Sequence, residues 1–312
     1  MEHRAFPKIP TTLAEGPSGG SRWLATEKIH GAQLVVATDG EVVRFGKRKA
    51  WLVADEPFFG WQMLRSELEL ALAAVHSALA RPGAIYVYGE LFGGSYPHPE
   101  VESLPGMTPV QTGIWYSPTL RFAAFDLLLV EPERAGVFIA HERLEGLAAE
   151  AGLLTVPVLA RGTRRELTGL PLRYPSTVAG LLGLPAIADN VAEGFVLKPD
   201  AELPASARPL VKYKIPEFDD NRFDESEAFD PHVHLSVAEL LRWATAMINP
   251  MRVASARSKV GEQPEAVVEE VVLDVWIDLE AIFPRRMLAL TQAEDAELRT
   301  NLLELARAAV RA

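Results

Sequence analysis

Glu27-Lys28-Ile29-His30-Gly31 is the stretch of this sequence from which both the fold and the chemistry can be followed. A lysine at the end of a strand and before a glycine is either a nucleophile held rigidly at a sheet edge or a solvated surface residue. These five residues alone favour the surface residue. The choice therefore depends on whether other parts of the chain supply the groups that a lysine nucleophile needs.

The residues around this stretch predict two strands and a hairpin. Residues 22–27 and 32–38 have the composition of strands. Asp39-Gly40 predicts a two-residue turn, from which residues 41–46 return as a partner strand. The return strand ends in a basic cluster that the hairpin places close to the lysine, Lys47-Arg48-Lys49.

The following part of the chain alternates between strand and helix patterns. Residues 60–80 carry apolar side chains at helical spacing and predict an amphipathic helix, and residues 142–151 predict a shorter one. Apolar runs predict five further buried strands, at residues 84–91, 120–130, 156–160, 194–198 and 210–215.

The composition changes after Pro216. Residues 217–234 are acidic with few apolar side chains, which predicts a linker, and residues 235–312 contain only helical patterns, at 237–247, 252–259, 265–279 and 293–310. We therefore predict an α+β fold. Antiparallel sheets flanked by helices occupy residues 1–216, and a small all-α domain occupies residues 235–312.

The net charge and the composition exclude several classes of function. A formal charge of −11 argues against a protein that coats nucleic acid, but it permits an enzyme that concentrates Lys and Arg in one groove. The absence of cysteine excludes disulfides, thiolate zinc sites and cysteine nucleophiles. No apolar run approaches the roughly 18 residues of a membrane span, and residues 1–4 lead into no apolar signal region. We expect a cytoplasmic protein with no membrane association.

Attack of a lysine amine on a nucleoside triphosphate sets requirements that later stretches meet. The amine must be neutral, which needs burial or neighbouring positive charge, and cations must hold the phosphates. Lys212 and Lys214 alternate on a predicted strand, so both point to one face, where they are candidates for the α-phosphate. Arg48 has a planar guanidinium that suits a phosphate or the ribose. Each alone is better explained as a solvated side chain.

Two acids and one aromatic residue complete the candidate set. Glu90 ends an apolar strand just before Gly93-Gly94, a place that suits a ribose hydroxyl or a metal-bound water. Glu193 enters another buried strand and is a second metal candidate, since Mg²⁺ needs only one or two carboxylates besides water and phosphate oxygens. Phe125 is suited to stacking on a base and equally to core packing.

Six short motifs resemble, in order, those shared by polynucleotide ligases and mRNA capping enzymes, and in detail those of the RNA ligase 2 family. They are Glu27-Lys28-Ile29-His30-Gly31, Gly46-Lys47-Arg48, Tyr88-Gly89-Glu90, Phe125-Asp126, Glu193-Gly194-Phe195-Val196-Leu197-Lys198 and Lys212-Tyr213-Lys214. Residues 248–253 and 258–261 also resemble the start of the helical C-terminal domain of RNA ligase 2 proteins. DNA ligases and capping enzymes carry an OB barrel there, and residues 235–312 show no run of short alternating strands.

The resemblance implies an ATP-dependent RNA ligase. It assigns residues 1–216 to a nucleotidyltransferase (ATP-grasp-like ligase) domain and residues 235–312 to a helical domain that binds nucleic acid. Lys28 would attack the α-phosphate of ATP and carry AMP, with Mg²⁺ or Mn²⁺ as cofactor. The AMP would then move to the 5′-phosphate of an RNA end, and a 3′-hydroxyl would expel it and seal a nick or a bridged break.

The motifs also imply a role for each residue. The catalytic candidates are Lys28, His30, Glu193, Lys212 and Lys214. The nucleotide contacts are Glu27, Lys28, Gln33, Arg48, Glu90, Phe125, Glu193, Lys212 and Lys214. The metal ligands are Glu90 and Glu193. The contacts to nucleic acid are Lys47 and Lys49 and, at helical spacing in the C-terminal part, Arg252, Arg257 and Lys259.

Two features depart from the family pattern, and three alternative functions stay open. Gln33 stands where the family usually has asparagine, which keeps the amide but lengthens the side chain by one methylene. The acidic charge predicts weak, salt-dependent binding of long duplexes. The alternatives are an ATP-dependent DNA ligase, a GTP-dependent capping guanylyltransferase, and a catalytically silent protein that binds nucleotides or RNA ends. Lys28 together with Glu193 and the two later lysines argues against silence, because a binding protein needs no nucleophile.

Overall fold

Two antiparallel sheets form the strand-rich part of the protein. The structure is a computed structural model that describes residues 1–12, 22–79, 83–131, 136–218 and 234–311. The smaller sheet has the strand order β11 (Val211–Lys214), β9 (Gly194–Pro199), β1 (Trp23–Glu27) and β8 (Val158–Gly162). The larger sheet has the order β10 (Leu203–Pro204), β7 (Val137–Phe138), β6 (Ser117–Val130), β5 (Ala84–Ser95), β2 (Ala32–Thr38), β3 (Val43–Lys47) and β4 (Ala50–Trp51).

Side-chain alternation gives the larger sheet two buried faces. On β2, Leu34 and Val36 point to one hydrophobic cluster, while Val35 and Ala37 point to another. The first face packs against helix α1 (Arg65–Leu79), whose buried Leu68, Leu72, Val75 and Leu79 form the predicted stripe.

Within the described residues, three more helices lie before residue 217 and five follow the acidic stretch. The first three are α2 (His141–Glu150), α3 (Arg164–Thr168) and α4 (Val178–Leu181). The later five are α5 (Val237–Met247), α6 (Pro250–Val260), α7 (Pro264–Ile282), α8 (Pro284–Leu288) and α9 (Gln292–Arg311). No helix within the described ranges has both the length and the apolar character needed to cross a bilayer.

The C-terminal helices share a hydrophobic core with the larger sheet. Trp243 of α5 and Leu279 of α7 belong to the same buried cluster as Leu72 of α1 and Val87 of β5. The Trp243 Nε1 also donates to the carbonyl oxygen of Pro105 at 2.7 Å. The helical part therefore packs directly on the strand-rich part.

The predicted fold class is confirmed, with local differences. The β2–β3 connection has four residues, because Asp39 accepts hydrogen bonds from the amides of Glu41 and Val42 and delays the return strand to Val43. The predicted helix at 60–80 begins with a 3₁₀ turn, Trp61–Leu64, and α8 was not predicted. Most of the predicted linker, residues 219–233, lies outside the described residues, so the division into domains stays a prediction.

Candidate active site

The Glu27–Gly31 stretch is the crossing from the smaller sheet to the larger one. Strand β1 ends at Glu27, and β2 begins in the other sheet at Ala32, so Lys28 leaves a strand at the place where the two sheets meet. Gly31 makes the crossing possible: a Cβ on this residue would lie 2.2 Å from the carbonyl oxygen of Leu91. The crossing borders a cavity of about 650 Å³ that residues of both sheets line.

The cavity wall is cationic although the whole chain is acidic. Among the described residues that line it, eight are basic and three are acidic. The basic residues are Lys8, Lys28, Lys47, Arg48, Lys49, Lys198, Lys212 and Lys214, and the acidic ones are Glu27, Glu90 and Asp126. The structure thus concentrates cations in one groove, which the acidic net charge permitted, and a wall of this kind favours a polyanionic ligand.

Glu193 lies behind the lysines and joins them. Its Oε2 accepts a hydrogen bond from the Lys28 Nζ at 2.7 Å, and its Oε1 lies 2.9 Å from the Lys214 Nζ. The Nδ1 of His30 is 3.6 Å from the same carboxylate, which is 1 % exposed. Four of the five predicted catalytic residues therefore meet around one buried carboxylate.

The fifth catalytic candidate, Lys212, is in the cavity wall beside Lys214, as strand alternation predicted. Tyr213, between them, points to the other side of the sheet and packs on Phe195 with a ring distance of 5.0 Å. The Lys212 amide donates to the carbonyl oxygen of Pro10 at 3.0 Å, which ties β11 to the N-terminal segment.

The two predicted metal ligands have opposite pKa shifts. Burial would raise the pKa of Glu193, but the charges of Lys28 and Lys214 and the hydrogen bond from His30 lower it to about 2. Burial raises the pKa of Glu90 to about 7, with Lys28 opposing the shift and the Glu193 charge adding to it. One carboxylate thus stays ionised at neutral pH while the other is partly protonated.

Of these two acids, Glu90 is placed to bind a divalent cation that takes most of its ligands from water and phosphate. No group of three or more His, Cys, Asp or Glu residues that could hold a metal occurs in the described ranges. Both Glu193 oxygens contact ammonium groups, whereas Glu90 lines the cavity itself. Such a cation would be held by one or two carboxylates together with water and phosphate oxygens, rather than by a protein cage.

The remaining predicted nucleotide contacts also line the cavity. Arg48 is exposed at its edge together with Lys49, and Lys47 pairs with Glu56. Phe125 lines the cavity, and its ring packs on Phe6 at a ring distance of 5.0 Å. The packing interpretation is therefore confirmed, and stacking on a base stays a prediction.

Gln33 also lines the cavity, opposite Glu90 in the pairing of β2 with β5. Its Nε2 is buried and has no hydrogen-bond partner within the described ranges. A buried amide donor without a protein acceptor suits an oxygen atom of a ligand.

Sequence reasoning missed Lys198 and its partners. Lys198 lines the cavity, and its Nζ donates to the carbonyl oxygen of Phe125 and lies 3.1 Å from Asp126 Oδ1. This Asp126 oxygen also accepts from Arg208 at 2.5 Å. Burial lowers the pKa of Lys198 to about 8, although the Asp126 charge opposes the shift. The signal was present, since Lys198 is the one charged residue within the apolar run from Phe195 to Pro199.

The N-terminal segment was also missed as part of the site. Phe6, Pro7, Lys8 and Ile9 line the cavity, although the sequence indicated no element and no site residue before residue 22. The hydroxyl groups of Tyr86 and Tyr88 donate to the carbonyl oxygens of Glu2 and Arg4 at 2.8 and 2.9 Å and hold this segment across β5. No local sequence pattern reports such a contact.

The prediction that Arg252 belongs to an exposed basic face of α6 is wrong. Its side chain is 2 % exposed and pairs with Asp278 of α7 at 2.6 Å, so it cannot contact nucleic acid at the surface. Lys259 lies 3.0 Å from Glu270 and 2.8 Å from Asp274, and Arg257 lies 3.6 Å from Glu262. Nearby acidic side chains therefore offset the positive charge of Lys259 and Arg257, which the helical spacing of the basic residues had suggested would bind nucleic acid.

Comparison with known proteins places this site in a family. The RNA ligase family profile matches residues 21–214. The chain is 31 % identical to RNA-editing ligase 2, mitochondrial, of Trypanosoma brucei brucei, over 56 % of this chain and 48 % of that protein. It is 29 % identical to RNA-editing ligase 1, mitochondrial, of the same organism, over 60 % and 46 %. The chain thus spans about half the length of these relatives.

The chain also aligns with solved structures. A structure described as Naegleria gruberi RNA ligase with PPi aligns with a TM-score of 0.42 and 14 % identity, over 65 % of this chain and 52 % of that one.

Proposed function

Because this chain belongs to the RNA ligase family, we propose that it is an ATP-dependent RNA ligase that joins 5′-phosphate and 3′-hydroxyl RNA ends through AMP bonded to Lys28. The observation that carries this proposal is the position of Lys28. It leaves a strand at the wall of a cationic cavity, 2.7 Å from Glu193 and beside Lys212 and Lys214. A site that only bound nucleotide would not need a lysine at this crossing.

In the first step the Lys28 amine, once deprotonated, attacks the α-phosphorus of ATP. The N–P bond forms, the bond to the bridging oxygen breaks, and pyrophosphate leaves. Lys212 and Lys214 line the same wall and suit the charge on the α-phosphate. Glu193 holds the Lys28 side chain in place and, being ionised, balances the surrounding lysines.

The nucleotide fits the cavity by the chemistry of its wall. Phe125 offers an aromatic surface for the base, Glu90 an acceptor for the ribose hydroxyls, and Arg48 a donor at the open edge. Gln33 offers an unpaired amide donor to a phosphate oxygen. Glu90 and phosphate oxygens would hold Mg²⁺ or Mn²⁺, with Glu193 as the second predicted ligand, and the ion would supply charge neutralisation at phosphorus.

In the later steps an RNA 5′-phosphate oxygen attacks the AMP phosphorus and releases Lys28, and a 3′-hydroxyl then attacks the 5′-phosphorus and expels AMP. The names of the two Trypanosoma relatives, both RNA-editing ligases, support RNA as the substrate. Lys47 and Lys49 at the cavity edge are the surface that we assign to the RNA backbone.

The test is covalent labelling. The protein is incubated with α-³²P-labelled ATP or GTP and Mg²⁺ or Mn²⁺, denatured, and examined for label that survives denaturation. We expect label from ATP, none with Lys28→Ala, and none with Glu193→Ala or Lys212→Ala while their circular dichroism is unchanged. Lys259→Ala, a lysine on the distant helix α6, is the matched control and should be labelled normally.

The other outcomes of this labelling experiment distinguish the alternative functions. Label from GTP alone indicates a capping guanylyltransferase, and no label from either nucleotide contradicts the covalent mechanism. A nicked duplex with RNA or DNA on each side of the nick then separates RNA ligase from DNA ligase. Sealing of DNA alone would overturn the assignment of the substrate.

A further inference from the structure

We propose that residues 174–177, here called the anchor segment, position Lys28 for attack without contacting the nucleotide. The segment lies in the loop before α4 and consists of Tyr174, Pro175, Ser176 and Thr177. This inference rests on the proposed function, since it explains how the nucleophile of that reaction is held.

The anchor segment binds the carboxylate next to the nucleophile. The Ser176 hydroxyl donates to Glu27 Oε1 at 2.6 Å, and the amide and hydroxyl of Thr177 donate to Glu27 Oε2 at 2.8 and 2.6 Å. Glu27 is 1 % exposed, and a buried carboxylate is retained only where donors replace its water. Because Glu27 directly precedes Lys28, these three bonds fix the backbone from which the nucleophile projects.

The same segment also holds the other side of the Lys28 backbone. The Tyr174 hydroxyl donates to the carbonyl oxygen of Gly194 at 2.5 Å, and this oxygen also accepts from the Lys28 amide at 2.9 Å. Gly194 has φ 146°, and a Cβ there would lie 2.0 Å from the carbonyl oxygen of Tyr213, so no other residue fits this place unchanged.

The anchor segment further pairs with the residues that lead to Glu193. The Ser176 amide donates to the carbonyl oxygen of Asn190 at 2.9 Å, and the Ala192 amide donates to that of Tyr174 at 3.0 Å. The segment therefore links the chain before Lys28 to the chain before Glu193. These are the two ends of the 2.7 Å contact between the amine and its carboxylate.

The predicted effect follows from where these side chains lie. Tyr174, Ser176 and Thr177 are not among the residues that line the cavity, so their removal deletes no direct contact with a bound nucleotide. A small displacement of a nucleophile slows attack steeply while binding persists. Loss of the anchor should therefore lower the rate of lysine adenylylation and spare the affinity for ATP.

The test compares rate with affinity in the full-length protein. In the double variant Ser176→Ala, Thr177→Val, we expect the single-turnover rate of self-adenylylation to fall about 10- to 100-fold. The Kd for α,β-methylene-ATP, which cannot transfer AMP, should change by less than about threefold. The exchanged pair Ser176→Thr, Thr177→Ser keeps both hydroxyl groups and should restore most of the rate. Tyr174→Phe, which loses only one hydroxyl, should show a smaller fall of the same kind.

Thr163→Val is the matched control. Thr163 makes a similar hydroxyl–carboxylate contact, 2.9 Å to Glu166 Oε2 at the start of α3, and Thr163 does not line the cavity. Thr163→Val should lower the free energy of unfolding without changing the rate of self-adenylylation. If it slows adenylylation as much as the double variant, the effect is one of general stability and the proposal is overturned.

Two further outcomes would also overturn the proposal. One is an unchanged rate of self-adenylylation in both the double variant and Tyr174→Phe. The other is a rise in the Kd for α,β-methylene-ATP that matches the fall in rate. Absence of label on the unaltered protein contradicts the proposed function together with this inference. Label on the unaltered protein with equal rates in the variants contradicts the anchor alone.

Discussion

At the scale of single residues, the site depends on two carboxylates with different environments. Glu193 contacts two lysines and has a pKa of about 2, whereas Glu90 is buried in the cavity wall and has a pKa of about 7. Both are glutamates next to buried strands in the sequence, so their difference comes from the groups around them. Perturbed carboxylates in a cavity are a feature of functional sites.

The Glu90 pKa predicts how stability depends on pH. The native state holds the Glu90 proton more tightly than the unfolded chain between pH 4.5 and about 7, so the free energy of unfolding falls as the pH rises through that window. Glu90→Gln removes this titration. Above pH 7 the variant should be more stable than the unaltered protein by roughly 1–3 kcal/mol, and the gain should vanish toward pH 4.5.

Urea unfolding at pH 5, 6, 7 and 8 measures this difference. Glu265→Gln, at the exposed start of α7, is the control and should show no gain that grows with pH. A constant difference between Glu90→Gln and the unaltered protein would mean that the Glu90 carboxyl has an ordinary pKa in the native state.

At the scale of elements, the N-terminal segment acts as a wall of the cavity although it is neither helix nor strand. Phe6 is buried against Tyr88, Phe125 and Phe138. The backbone carbonyl groups of two residues that precede it, Glu2 and Arg4, accept from the hydroxyl groups of Tyr86 and Tyr88. Phe6 therefore supports the ring that we assign to the nucleotide base. Aromatic pairs of this kind contribute about 0.5–1.5 kcal/mol beyond their buried area.

Phe6→Ala should therefore weaken ATP binding about threefold to tenfold, which the Kd for α,β-methylene-ATP measures. The overall fold should persist, because a segment near the chain end can be released locally. Val42→Ala, at a residue of the β2–β3 turn that is 54 % exposed and does not line the cavity, is the control and should bind normally. Unchanged binding by Phe6→Ala would show that the segment covers the sheet without shaping the nucleotide site.

At the scale of the whole molecule, the C-terminal helices complete the core of the strand-rich part. Trp243 is fully buried and packs on Phe283 at a ring distance of 4.7 Å, in the cluster that includes α1 and the larger sheet. The sequence led us to expect a separate domain that grips nucleic acid. The shared core and the buried Arg252 favour a structural contribution instead.

This view makes a prediction about truncation. A chain that ends at residue 234 should lose self-adenylylation together with sealing, because removal of the helices exposes the apolar face of α1. Trp243→Ala should lower the free energy of unfolding by about 3–5 kcal/mol in urea titrations. Leu288→Ala, at a residue that is 89 % exposed, is the control and should change it by less than about 0.5 kcal/mol.

Full self-adenylylation by the truncated chain, with loss of sealing alone, would support the nucleic-acid-binding domain that the sequence predicted. Equal stability of Trp243→Ala and the unaltered protein would contradict a shared core.

The sequence by itself determined what depends on local pattern and on residue chemistry. Alternation placed Lys212 and Lys214 on one face, the helical stripe predicted α1, and the order of the motifs identified Lys28 and Glu193. These inferences succeed because the periods of strands and helices and the needs of a chemical step are visible in short stretches.

Only the tertiary structure decided which side chains meet across long stretches of chain. Lys28 and Glu193 are 165 residues apart, and Thr177 lies 150 residues from the Glu27 that it binds. Helical spacing made Arg252 resemble its exposed neighbours, but packing of α6 on α7 buried it against Asp278. Such contacts also explain how the anchor segment supports Lys28, how the N-terminal segment supports Phe125 and how the C-terminal helices support α1. They leave no periodic pattern in the sequence.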